Sequence, residues 1–477
     1  MRNHKFSTYL KLKPNEITKL KPNEITELTL KATRSWFYAN ELATIYNIPQ
    51  PTLTSELVVA VVSFGGGLYG SVSNTGVLTN GDVQNYWLSI GILPANIPKV
   101  VIKTIDGATN SPNVNDGGST MENTIDVESI GACCPSSNLT IVLYIAPNSF
   151  NEFPILLNNI LNISSYKPSV VSISWGAPEI YYSNSLLTTM DNLFATAVAS
   201  GINITSASGD NGSNDGVGGS GSYCDFPSSS PNVISCGGTA LTCPNLTYDN
   251  QTVETAWSSG GGAISSFFSK PSYQSALTGT KRHTPDIAMN ADPNTGVLYL
   301  INGSSYVIGG TSIVAPTLAG FLAAIKSTKF MNTISYNTLN SNCFHDVKTG
   351  SNGAFQSKTG YDNCSGLGSI VGNLLATAFN SVSPPPPPPP PPTVIHPLSI
   401  SINLSSSRIR VGTKMILTST VLPSNSANKS VKWSSSNSRI ATINNNGYLQ
   451  TKAKGTTTIT AKTVDNNKTS SINITVY

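Results

Sequence analysis

Apolar positions fall into two patterns that divide the chain. From about residue 35 to 382, short β-branched runs alternate with longer helix-like stretches. The runs are ELVVAVVSF at 56–64, NLTIVLYIAP at 138–147 and SVVSISWG at 169–176; the stretches include SLLTTMDNLFATAVASG at 185–201 and APTLAGFLAAIKS at 315–327. Apolar strands separated by helices predict an α/β domain, a mostly parallel sheet with helices on both faces. From 397 to 477 the pattern becomes a period-two alternation broken by turn residues roughly every eight to twelve positions, which predicts a small all-β sandwich.

Two low-complexity segments flank the first domain. KLKPNEIT at 11–18 repeats identically at 19–26 and shows no obvious packed face, so 1–34 reads as a low-complexity N-terminal remnant. PPPPPPPPP at 384–392 must form polyproline II, a stiff spacer of roughly 28 Å at about 3.1 Å per residue. Four segments result: 1–34, 35–382, a linker at 383–396, and 397–477. Charged residues are 11% of the chain against a usual share of about 25%, and the polar remainder is rich in Ser, Thr, Asn and Gly. The net charge of +4 comes without a basic block, which argues against a nucleic-acid partner. No stretch has the apolar length of a membrane span, and the basic start lacks the apolar core of a signal peptide. Seven cysteines show no metal-finger spacing; disulfides in an oxidising compartment, with one thiol left over, are the expectation.

Candidate chemistry begins at GGTSIVAPTLAG, 309–320. Ser312 heads an apolar helix, either as an ordinary N-cap or as a hydroxyl placed where the helix N-terminus favours developing negative charge. A serine nucleophile needs a base. Of the four histidines, His4, His283, His345 and His396, none lies in an HGT-like stretch. STMENTIDVESIGA, 119–132, offers an alternative. Glu122 and Asp126 are four apart and share a helix face; they repel unless they share a proton, and such a pair can act as a base in acid. A solvated acidic face is the plainer reading. Asp210, in NITSASGDNGSNDG, is either a turn former or a protonated acid that donates to an oxyanion. Finally, Asp346 and Asp362 sit in the glycine-rich stretch 344–369, which suits a hard cation ringed by oxygen.

Taken in order, these pieces resemble the sedolisin family of serine-carboxyl peptidases, acid-acting relatives of the subtilisins. The resemblance covers about 35–382. It is carried by WFYANELATIYNIPQ, ENTIDVESI, SVVSISWGAPE, SASGDNG, YCDFPSSSPNVISCGGT and GGTSIVAPTLAG. It implies a subtilisin-like fold and a Ser-Glu-Asp triad: Ser312 as nucleophile, Glu122 as base and Asp126 as second carboxylate. Asp210 would be the oxyanion acid, where subtilisins use an amide. Such a site would cleave peptide bonds through an acyl-enzyme, best in acid, and the low charge density fits because little net positive repulsion follows protonation. The resemblance also implies one structural Ca2+, held by Asp346 and Asp362 side chains and by the carbonyls of Val347, Lys358 and Gly360. A Cys343–Cys364 disulfide is expected to pin that loop. Some members carry an outer glutamate where this chain has Ser63, so no outer carboxylate is assigned. Trp175 is a candidate neighbour of the carboxyl pair or a buried structural residue.

Residues 397–477 resemble the bacterial Ig-like group-two module, which implies a surface-presented spacer or adhesive contact with a cell surface or polysaccharide. The combined expectation is a secreted, monomeric endopeptidase acting on unfolded or peptide substrates. The resemblance implies a long propeptide, whereas some 34 repetitive residues precede the domain here, so the expectation is either a truncated sequence or a domain that folds without that help. A second reading keeps the peptidase fold as a catalytically silent display for an adhesin; the intact set of four site residues argues against it.

Overall fold

The run ELVVAVVSF becomes β1 (Leu57–Phe64), and further strands follow: β2 (Ser71–Val72), β3 (Val77–Thr79), β4 (Lys99–Thr104) and β5 (Leu139–Ala146). Beyond them come β6 (Val170–Ile173), β7 (Asn203–Ala207), β8 (Ile234–Thr242), β9 (Val253–Ala256) and β10 (Ile287–Asn290). This is a computed structural model, and it describes residues 2–3, 9–11, 35–338, 342–381, 397–404, 406–424, 426, 428–465 and 467–477. The repetitive head beyond residue 11 and the expected linker at 383–396 lie outside the described residues. Two compact units divide at Pro386 and Pro387.

In the first unit the strand order is β9–β8–β7–β6–β1–β5–β4–β3–β2, with β10 also pairing to β8. From β4 to β8 every pairing is parallel, as is β8 with β10. The pairings at the two ends are antiparallel. Burial on both faces explains the near-continuous apolar runs. Along β1, Val59 and Val61 join one core cluster, while Ala60, Val62 and Phe64 join another. The first cluster also holds Ile125 and Ile130 of α1 (Ser119–Cys133) and Ile313 and Leu318 of a second helix, Thr311–Ala324. The other cluster receives Leu187, Met190 and Phe194 of α2 (Asn184–Ala199); Thr311–Ala324 is α3.

All fifteen residues of α1 are buried, so its two acids are not on a solvated face. The helix starts after Gly117 and Gly118, both at positive φ. Asp116 closes that end by accepting from the Thr120 N–H (3.1 Å) and hydroxyl (2.6 Å), which fixes where the first turn, and hence Glu122, begins.

The second unit is all β. Strand Ser399–Asn403 pairs with Thr418–Leu422, and Gly455–Thr463 lies between Val431–Ser435 and Thr469–Val476. Leu417, Ala441, Leu449, Ile459 and Ile474 are buried together at its centre. Alternate inward and outward positions give the period-two pattern seen in the sequence.

The expected Cys343–Cys364 disulfide does not form, because Cys364 is a free buried thiol. Burial pushes that thiol up to about 11, which keeps it neutral. The loop is closed without it: Phe344–His345 pairs with Ser369–Ile370, and Asp362 Oδ1 accepts the N–H groups of Cys364 and Ser365, each at 2.9 Å. Cys133, Cys134, Cys224, Cys236 and Cys243 are likewise free and buried, contrary to the expectation of disulfides.

Candidate active site

Ser312 is the second residue of α3, and Glu122 and Asp126 occupy successive turns of α1; all three are fully buried. The two helices pack against each other on one face of the sheet, and this brings serine and carboxyls together. Burial pushes both acids well above the ordinary carboxylate range, and the Asp126 charge adds to the rise at Glu122. Against it, the Ser312 and Ser174 hydroxyls pull Glu122 back down. Ser312 Oγ, both Glu122 oxygens and Asp126 Oδ2 nevertheless lack a hydrogen bond of ordinary geometry. Unmade bonds at full burial are costly, and in unliganded sites catalytic hydrogen bonds often close only around substrate. The other oxygen, Asp126 Oδ1, is satisfied: Ser174 Oγ donates to it at 2.7 Å.

Asp210 lies in the loop after β7 and reaches the start of α3. Its Oδ1 accepts both the N–H and the hydroxyl of Thr311 at 2.7 Å, while its buried Oδ2 has no such bond. Burial pushes Asp210 up to about 6, against the pull of Thr311. Gly310 makes room for this oxygen. Its φ is +133°, and a Cβ there would stand 2.7 Å from Asp210 Oδ2. A second acid lies behind: Asp225 is raised by burial, then by the charges of Asp215 and Asp210. The site therefore joins the Ser312 hydroxyl to four carboxyls, Glu122, Asp126, Asp210 and Asp225, each biased toward its neutral form.

Among the described residues no imidazole enters this constellation. His283 contacts the Thr278 carbonyl (3.0 Å) and Asn363 Oδ1 (3.3 Å). His345 stacks on Tyr248 with ring centroids 3.4 Å apart, and burial pulls it down to about 4. His4 and His396 lie outside the described residues. Trp175 packs edge-on to Phe64 at 5.6 Å in the cluster on the opposite face, the structural alternative of the two expected for it. Ser63 bonds to the Asn123 side chain, whose amide nitrogen donates to Gly65 O at 3.0 Å.

In the candidate metal loop, Gly360 N donates to Asp346 at 3.2 Å and Lys358 N to Asp362 Oδ2 at 2.9 Å. Ser365 Oγ bridges Asp362 Oδ1 (3.1 Å) and the Val347 carbonyl (3.4 Å). These contacts form two sets, Gly360 with Asp346 and Lys358, Ser365 and Val347 with Asp362, and Lys358 and Gly360 enter them through their N–H groups rather than the carbonyls expected as donors. Reading the sequence alone missed Ser174 and Thr311. A signal for Ser174 was present: in SVVSISWG, Val171 and Ile173 point into one cluster, so Ser172 and Ser174 are polar residues on the other buried face.

Residues 108–361 match the model of the subtilase family, and residues 399–474 match that of the bacterial Ig-like domain (group 2). The chain is 34% identical to kumamolisin of Bacillus sp. (strain MN-32) over 364 residues, covering 71% of this chain and 62% of that protein. To sedolisin of Pseudomonas sp. (strain 101) it is 31% identical over 360 residues, covering 69% of this chain and 59% of that one. It thus spans about three-fifths of the length of these curated relatives. Among solved structures, a Pseudomonas sedolisin described as a serine-carboxyl proteinase, complexed with two molecules of pseudo-iodotyrostatin, superposes with a TM-score of 0.62. The identity is 28%, over 73% of this chain and 99% of that one.

Proposed function

Since this chain belongs to the subtilase family, with sedolisin-type enzymes as its relatives there, we propose that it is an acid-active serine-carboxyl endopeptidase. The observation that carries this is the meeting of Ser312 with a buried carboxyl pair, with no imidazole of the described residues beside them. The carboxyl pair, holding one proton, takes a second from Ser312 as Oγ attacks the peptide carbonyl. The C–N bond then breaks as the pair returns a proton to the leaving amine, and water later cleaves the acyl-enzyme by the same route. Neutral Asp210 donates to the tetrahedral oxygen from the N-terminus of α3, where donors and helix dipole already favour an anion. With Asp210 at about 6, this donor is present in acid and scarce at pH 7.

Calcium binding by Asp346, Asp362 and the carbonyls of Val347, Lys358 and Gly360 belongs to the same reading. Support comes from the all-oxygen donor set and from the Lys348 ammonium, a cation standing 3.9 Å from Asp346 Oδ2. A bound ion would neutralise these carboxylates and brace the loop, with no part in bond cleavage. Peptides or unfolded proteins outside the cell are the substrates that fit. The Ig-like unit would serve as a spacer or surface contact for a monomeric enzyme. Among the described residues no helix is long and apolar enough to cross a membrane.

One assay tests the enzyme reading. Cleavage of an unfolded protein is measured at pH 4 and pH 7 with the unaltered chain, Ser312→Ala and Glu122→Ala. Cleavage confined to acid and lost in both variants is expected. Equal rates at the two pH values, or full activity without Glu122, would overturn it.

A further inference from the structure

We propose that Ser174 is a positioning residue of the acid site, holding Asp126 so that the pair's proton is shared between Asp126 Oδ2 and Glu122. The inference rests on the peptidase reading and adds to it a residue that acts through Asp126 rather than on substrate.

Ser174 follows β6 and is fully buried. Its hydroxyl has one hydrogen, which it donates to Asp126 Oδ1 at 2.7 Å; the same oxygen lies 3.4 Å from the Ser312 carbonyl. That carbonyl is open for a chemical reason. Within α3, its helical donor would be the amide four residues on, and this is Pro316, which has no N–H. Ser174 therefore sits where the carboxylate helix meets the nucleophile helix, touching both. With Asp126 Oδ1 taken, the pair's other three oxygens are the ones left without a partner. The shared proton is thereby directed to Oδ2, toward Glu122.

A donated hydrogen bond favours the ionised pair, so Ser174 lowers the pH at which the pair first loses a proton. Two other titratable groups face the pair. Asp210, from the loop after β7, raises Glu122. The Tyr299 hydroxyl, bonded to Ser129 Oγ at 2.7 Å, feels the Asp126 charge. Ser174→Ala leaves both in place, so its effect is separable from theirs.

The experiment records kcat and KM on an unfolded protein substrate from pH 2.5 to 7 for the unaltered chain, Ser174→Ala and Ser174→Thr, with thermal unfolding of each. The acidic limb of Ser174→Ala should move up by about one pH unit, and its kcat should fall roughly tenfold or more, as for a lost hydrogen bond to a charged group. KM should stay within about twofold, and the hydroxyl of threonine should restore the limb. An unmoved limb in Ser174→Ala overturns the inference and leaves the peptidase reading standing. Inactivity of the unaltered chain at every pH overturns that reading, and this inference with it. If Ser174→Ala shows no folded baseline, Ser174→Cys takes its place, and an unmoved limb there is equally fatal.

Discussion

Replacing Asp210 with asparagine tests the electrostatics of the site most directly, because shape is conserved while one titration is removed. Asparagine Oδ1 can accept the two Thr311 bonds, and its amide puts a permanent donor where Asp210 Oδ2 now lies. Burial holds Asp210 at about 6 in the folded chain, against roughly 3.9 for an unfolded aspartate. The folded state therefore binds the extra proton between these values. The resulting stabilisation is complete below about pH 4 and is lost as pH rises through 6. At 1.36 kcal/mol per unit, the loss is about 3 kcal/mol, a large part of the roughly 5–15 kcal/mol that hold a domain together. Urea unfolding of the peptidase unit at pH 4 and pH 7 measures it. The acid-to-neutral drop in Asp210→Asn should be about 3 kcal/mol smaller than in the unaltered chain. The variant should also keep activity above pH 6, where the acid has lost its proton. An unchanged drop, or a descending limb still near pH 6, would show that Asp210 ionisation is not what neutrality takes away.

The remaining expectations probe other parts of the structure. Gly310→Ala places a Cβ 2.7 Å from Asp210 Oδ2 at a φ of +133°; kcat should fall at least a hundredfold with circular dichroism preserved, and activity within tenfold would refute the packing argument. Glu122→Gln removes a buried acid whose pKa is raised, so it should abolish cleavage yet raise the thermal midpoint at pH 7; a lower midpoint would contradict the desolvation account. Calcium should raise the thermal midpoint and chelation lower it, with Asp346→Asn erasing the difference, as linkage requires; a midpoint indifferent to calcium would remove the site. Ile459→Ala, at a fully buried position of the Ig-like unit, should cost about 2–4 kcal/mol in that unit's own transition and leave acid proteolysis unchanged.

How much of this was legible beforehand depended on what each residue's partners were. The α/β layering was legible because strands buried on both faces must be continuously apolar, and β1 and β5 are. The Glu122–Asp126 pair was legible as a spacing, but its burial was not: α1 is polar enough to pass for a surface helix, and it is covered by α3, by the helix Ala39–Ile45, by the sheet and by the chain around Trp87 and Tyr299. Ser174 and Thr311 act through contacts to Asp126 and Asp210, 48 and 101 positions away, and no local pattern encodes such distances. The disulfide failed for the opposite reason. Two cysteines flanking a loop say nothing about sulfur geometry, and here backbone pairing and Asp362 already close the loop.

The acid dependence proposed for this site follows from what surrounds the carboxyls rather than from their number. Asp286 shows the contrast, because it too is buried, yet the guanidinium of Arg282 contacts it at 2.5 Å and the Tyr336 hydroxyl donates to it at 2.8 Å. A carboxyl of that kind has a countercharge beside it at full burial. Glu122, Asp126, Glu128, Asp210 and Asp225 are all raised, with burial as the first cause. The donors that oppose those rises are neutral hydroxyls and amides: Ser174 at Asp126, Leu300 at Glu128 and Thr311 at Asp210. Neutral donors soften the desolvation penalty without cancelling it. Supplying an ammonium or guanidinium would stabilise the folded chain at neutral pH, but it would also fix Asp210 as an anion and strip the oxyanion of its donor. On the proposed reading, the lack of a countercharge beside Asp210 among the described residues would thus give the site its proton-donating acid and confine it to conditions where protons are plentiful.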